Sequence, residues 1–339
     1  MADIGEHMPC SLRESKMDGQ RVLTLENGAI RVRIDVDRGA HIFEVTDKRT
    51  NVDLLYKDPK GLANHDVGGW YELFPNAGKS CSYGGLAVPG HGDVRNLPWQ
   101  YRMLESDPQT IRLLMRTESK VLPLALERTV AIHRGLPVLY VAETVANRSE
   151  EDQPYLWGHH VTFGQPFIGP ECRIDLPVCR LFKRPDYGNE SSRLAEGASG
   201  SIGDMPGKAG DRVDLSYFPS EPSSEMLFID GMREHWYNVF NEKIGVGASL
   251  AWDSATFPYL WWWEENEAAL QAPFNGKVRG MALEPQSSDV PILAKAVSEG
   301  RAPILPAGQQ RDAWLTLVVH HDPRRVCSVT KEGRVTNED

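Results

Sequence analysis

Cysteine is scarce and not arranged in pairs. The chain of 339 residues has five, Cys10, Cys81, Cys172, Cys179 and Cys327, an odd number with no Cys-x-x-Cys spacing. This argues against a disulfide framework and gives little basis for a cysteine nucleophile or a thiolate metal site. Free thiols suit a reducing, cytoplasmic setting. Long apolar runs are missing too. A membrane-spanning helix needs about 20 consecutive apolar residues, and the most aromatic stretch, Phe257 to Trp263, stops at Glu264 and Glu265. The opening residues, MADIGEHMPCSLRESKMDG, are charged early and lack an apolar segment, so no secretory signal is expected. Basic residues are outnumbered, 37 Lys and Arg against 47 Asp and Glu, for a formal net charge of −10. Such a surface repels phosphate, so nucleic acid and anionic membranes are not expected partners. The fingerprints of P-loops, dinucleotide-binding turns, serine-hydrolase elbows and HExxH zinc sites are absent as well.

What the sequence has in quantity is alternation with period two. Ile30, Val32, Ile34 and Val36 alternate with Arg31, Arg33, Asp35 and Asp37, just after an Asn27-Gly28 turn signal. Ile244 to Trp252 and Trp314 to Val318 follow the same rule, and Thr110–Met115, Glu127–His133 and Val138–Val145 read as strands. Helical periodicity is nearly confined to Val290–Glu299, with Ser288 or Asp289 as N-cap and Gly300 as stop. The fold class expected is therefore all-β, a large sandwich or barrel. Residues 183–224 are rich in glycine and serine and read as an insertion at the cleft mouth of one domain spanning 19–322. Residues 1–18 and 323–339 read as loosely anchored ends. A monomer or homodimer fits equally.

Three clusters carry the residues able to do chemistry. Gly69 to Lys79 is followed by Val88 to Trp99, in which glycines flank His91. Pro154 to Gly164 contains His159 and His160. Phe257 to Trp263 precedes Met281 to Gln286, which contains Glu284. Each has a plain structural reading. A histidine beside glycine is commonly a turn residue, tryptophans in series commonly pack, and a carboxylate at position 284 could cap the helix placed next. Neighbours on a strand face opposite ways, so His159 and His160 cannot chelate a metal together from one strand.

Taken in order, the clusters resemble the aldose 1-epimerase (galactose mutarotase-like) superfamily. The matching segments are Phe74–Lys79, Pro89–Trp99, Asn147–Phe163, Phe257–Trp263, Leu283–Pro285 and Leu305–Gly308, spread over residues 20–322. The resemblance implies a large antiparallel β-supersandwich and interconversion of the α and β anomers of an aldose, without cofactor or metal. By motif it implies Glu284 as base, His160 as acid and His91 as a hydrogen-bond partner of the sugar ring oxygen. It also implies that Asn76, Lys79, Arg95, Phe163 and Trp263 contact the sugar. Lys79 stands where many relatives carry Arg, and no residue matches the aspartate with which some relatives hold a sugar hydroxyl.

The residue types suit that chemistry. Opening a hemiacetal needs a base at the anomeric hydroxyl and an acid at the ring oxygen. An unperturbed Glu, pKa about 4.3, is ionised near neutrality, and an unperturbed His, about 6.5, is protonated in useful fraction. Aromatic rings suit the apolar faces of a pyranose. Lys79, Arg95, Lys183 and Arg184 could together meet an anionic group on the sugar, although the last two also read as solvated surface charges. A non-catalytic carbohydrate-binding or regulatory protein is the alternative. A lyase or hydrolase on a similar sandwich would need a further acid or base that no residue here supplies.

Overall fold

The computed structural model describes residues 8–65, 67–187 and 189–338. Among these, the alternating segments form two large antiparallel sheets. The larger has twelve strands and runs from an edge at Ser11–Met17 to an edge at Ser199–Gly200. Gly69–Leu73, Gly158–Gly164, Arg279–Gln286 and Tyr259–Asn266 lie side by side at its centre. The second has eight strands, from Cys172–Asp175 to Gln100–Ser106, with Val138–Asn147 and Gln310–His320 adjacent in its middle. The inner faces of both sheets contribute to one apolar core, which reaches from Cys10 to Val319.

The two sheets are also joined by charge. Arg128 of the smaller sheet is buried and donates to Glu143 (2.7 Å), to the Ala40 carbonyl (2.9 Å) and to Glu72 of the larger sheet. Leu194, Ala198, Met205, Leu215 and Phe218 from the glycine-rich stretch 183–224 enter the common core. Buried ionic contacts tie that stretch down further: Ser192 and the Arg193 backbone bond Glu225, and Arg193 pairs with Glu264 at 2.7 Å.

Three sequence expectations need correction. Ser11–Met17 is not a loose end but an edge strand, paired from Ser11 with Glu26 to Met17 with Gln20; residues 1–7 lie outside the described residues. At the other terminus Val326–Val329 and Val335–Asn337 form a hairpin. Its Val326 and Val329 pack with Trp236, so the segment after 322 is anchored by apolar burial; Asp339 lies outside the described residues. The helix is shorter than its periodicity implies, Leu293–Ser298, and has no side-chain cap from Ile292, its N-cap residue. The Leu293 N–H is instead taken by Asn76 Oδ1 at 2.8 Å, and Ser288 Oγ accepts from the Val290 N–H.

Candidate active site

The site is a row of side chains across neighbouring strands. His160 stands opposite Tyr71 in the register of its strand with Gly69–Leu73. On its other side Gly158 pairs with Gln286 and Thr162 with Ala282, which sets His160 opposite Glu284. Glu284 in turn faces Trp261, and Trp261 faces Phe228. Opposed residues in a sheet share a face, so Tyr71, His160, Glu284 and Trp261 all project to one side. Trp263, two residues from Trp261, joins them. These residues floor a cleft of about 600 Å³, whose walls include Lys79, His91, Tyr187 and Phe274.

His160 Nε2 lies 3.5 Å from Glu284 Oε1, and His160 Nδ1 lies 2.8 Å from Thr162 Oγ1. The Tyr71 ring stacks on the imidazole at 4.9 Å and 14°. Trp263 and His91 approach it at 6.1 and 6.0 Å. Gln286 Nε2 donates to Glu284 Oε2 at 3.2 Å. The floor is dry: His160 is 8% exposed and Glu284 3%. Burial pushes the Glu284 carboxyl up to about 8, against the opposing hydrogen bond from Gln286. Burial, then His91 and Arg95, hold His160 well below its ordinary value. The sequence reading took both groups at their unperturbed values. Desolvation disfavours each charged form, so at pH 7 the carboxyl keeps its proton and the imidazole is neutral.

Not every residue named from sequence reaches the cleft. Phe163 is fully buried and packs in the interior against Phe167 and Tyr237. It stands three positions from His160 on one strand, so strand alternation alone turns it to the opposite face. Asn76 is also fully buried. Its amide donates to the carbonyls of Lys79 and Pro89, both at 2.9 Å, and its oxygen caps the helix, so it shapes the cleft wall without facing a ligand. The four cations do not converge. Lys183 Nζ is buried against Ser192 at 2.5 Å, and Arg184 pairs with Asp186 and Asp289. Lys79 is exposed on the cleft wall, while Arg95 is buried beside His91 and Tyr71. Glu284 lies within its strand and does not cap the helix.

His91 sits in a turn with φ +60, followed by Gly92 at +72. A Cβ on Gly92 would lie 1.8 Å from the Phe74 carbonyl oxygen, so this glycine is needed for backbone approach rather than for a ligand. Tyr71 is the site residue that sequence reasoning passed over; strand pairing with His160 is the signal, and it is tertiary. His159 turns inward. Trp70 Nε1–H donates to its Nδ1 at 3.0 Å, which puts the imidazole proton on Nε2, 2.9 Å from Glu143. Glu72, Glu143 and His159 hold potential metal-ligand atoms within 4.8 Å of one another. Arg128 already supplies a cation to both carboxylates, so this donor set fits an internal ion network rather than a metal.

A family model described as a domain of unknown function (DUF4432) matches residues 17–319. No curated protein matches the sequence. Among solved structures the chain is similar to a provisionally assigned aldose 1-epimerase from Klebsiella pneumoniae, with TM-score 0.69 and 15% identity over 91% of this chain and 81% of that one. It is similar to a galactose mutarotase-like protein from Clostridium acetobutylicum, with TM-score 0.64 and 15% identity over 93% and 99% of the two chains. A galactose mutarotase-like protein from Lactobacillus casei aligns with TM-score 0.59 and 18% identity over 88% and 100%. The architecture is thus the galactose mutarotase-like β-supersandwich.

Proposed function

The chain belongs to the DUF4432 family, and we propose that it is an aldose 1-epimerase-type isomerase that opens and recloses the ring of a free sugar. The observation that carries this reading is the His160–Glu284 pair, 3.5 Å apart on the dry floor of an aromatic-lined cleft.

The proton bookkeeping is simple. In the ring-opening step the Glu284 carboxylate takes the anomeric O–H proton while the His160 imidazolium protonates the ring oxygen. The C1–O5 bond breaks and an aldehyde forms. The pair is left as a neutral carboxylic acid and a neutral imidazole. Rotation about C1–C2 and the reverse transfers close the ring on the other face. Both forms of the pair carry one proton, and each half-reaction converts one into the other. Burial favours the neutral form, the state from which ring closure starts. General acid–base groups of this kind are worth roughly 10²–10⁴-fold each.

The lining favours a neutral aldose over an anionic one, since it holds Lys79 against Asp186, Glu225 and Glu265. Trp263, half-buried on the cleft floor, offers a face for the C–H side of a pyranose. The test is anomer exchange followed by NMR across neutral and anionic aldoses, with binding measured in parallel. Catalysed exchange of at least one neutral aldose is expected. Binding without acceleration on every sugar would instead identify a carbohydrate-binding protein.

A further inference from the structure

Arg95 is buried, 7% exposed, and its guanidinium carbon lies 4.1 Å from the centre of the Tyr71 ring. One guanidinium nitrogen, Nη1, is 2.8 Å from His91 Nδ1 and 3.4 Å from the Tyr71 hydroxyl. Its backbone runs close against Gly39, where an added Cβ would lie 2.5 Å from the Arg95 carbonyl oxygen. A guanidinium only donates hydrogen bonds and does not lose its proton. His91 Nδ1 must therefore be an acceptor with a free lone pair. The proton of the neutral ring is left on Nε2, and Nε2–H is the one N–H that this cleft-lining ring can offer a ligand.

The geometry points to Arg95 as a positioning residue: it does not grip an anionic substrate but fixes His91 as an Nε2–H donor toward the sugar. Burial and the adjacent Arg95 charge also push His91 down to about 4, so the ring stays neutral at working pH. Without Arg95 the imidazole would divide between two tautomers, and the Nδ1–H form presents a lone pair at Nε2, which repels a ring oxygen. The sugar as recipient rests on the proposed function; the tautomer itself does not.

The test is nitrogen-15 NMR of the imidazoles in wild-type protein without sugar, with the His91 signals identified by their loss in H91N. A single Nε2–H tautomer is expected at His91. An Nδ1–H form, or an even mixture, would overturn the assignment whether or not any sugar is turned over. In R95M the His91 signals should move toward a tautomer mixture. The kcat of anomer exchange should fall about tenfold while KM changes little, the signature of a hydrogen bond that matters most in the transition state. Folded R95M with an unchanged His91 tautomer would also overturn it. If R95M fails to fold, the wild-type tautomer alone still decides. Absence of exchange on all sugars combined with the expected tautomer would reject the isomerase reading and leave the role of Arg95 standing.

Discussion

Two groups separated by 3.5 Å, a carboxyl raised to about 8 and an imidazole held low, make the catalytic proposal checkable by pH. If the working unit is a pair sharing one proton, kcat/KM should be flat from about pH 6 to 7.5. It should fall tenfold per pH unit above about 8, as Glu284 loses the shared proton. A rate that climbs through pH 8 would show instead that an ionised carboxylate beside neutral His160 is the active form. Glu284→Gln keeps the shape but cannot accept the proton. It should cut the exchange rate by roughly 10²-fold or more with sugar affinity retained. His160→Asn should behave alike, and the double variant should lose less than the product of the two effects, because both groups serve one transfer. Exchange and affinity on folded variants are the measurements.

At the scale of the element, strand register assembles the site and loops shape its rim. Asn76 makes the point: one buried amide bonds two carbonyls of its own loop at 2.9 Å and caps the Leu293–Ser298 helix at 2.8 Å. Asn76→Ala leaves those partners unsatisfied in a dry place. It should lower unfolding free energy by about 2–4 kcal/mol in a denaturant titration. Phe163→Leu offers the contrast between packing and binding. With the ring turned into the core, stability should drop by about 1–3 kcal/mol while KM for the sugar stays unchanged. A raised KM with stability intact would return Phe163 to the cleft.

For the molecule as a whole, buried titratable groups set the pH range of stability. Burial raises Glu284 to about 8 and Glu264 to about 7, from ordinary values near 4.5. Between those values the folded state holds protons that the unfolded state has released, so these groups make stability fall as pH rises. The buried histidines His41, His65, His91, His160 and His320 are pushed below 6.5, which makes stability rise with pH only up to about 6.5. Above that the carboxyl effect continues, and His159 and His321, which neighbouring carboxylates hold above 6.5, act in the same direction. The thermal midpoint should therefore decline from pH 6.5 to 8, and Glu284→Gln should flatten the decline. Arg128, between the sheets, bears on stability at every pH. Arg128→Met strands Glu72 and Glu143 without their cation and should cost about 3–5 kcal/mol, read by denaturant unfolding at pH 7.

How much of this could be read from residues alone follows from the range of the forces involved. Alternation is local, since each side chain's face depends on its place along its own strand, so Ile30–Val36 and the Ile244–Trp252 pattern declared strands without help from the rest of the chain. The same parity turns Phe163 away from His160 on its strand. The order of the motifs around His91, His160 and Glu284 also lies in the sequence and implied a supersandwich with a cleft. What only the tertiary structure decided depends on neighbours distant in the chain. Glu284 stands beside His160 because two strands pair, and Tyr71 stacks there for the same reason. Asn76 is drawn to a helix 217 positions away, and Arg95 turns inward to His91 rather than out to a ligand. The protonation of the site belongs to the same class. A carboxyl near 4.3 in a peptide holds its proton to about 8 in this fold because folding removes water from it, and desolvation is a property of packed surroundings that no single segment contains.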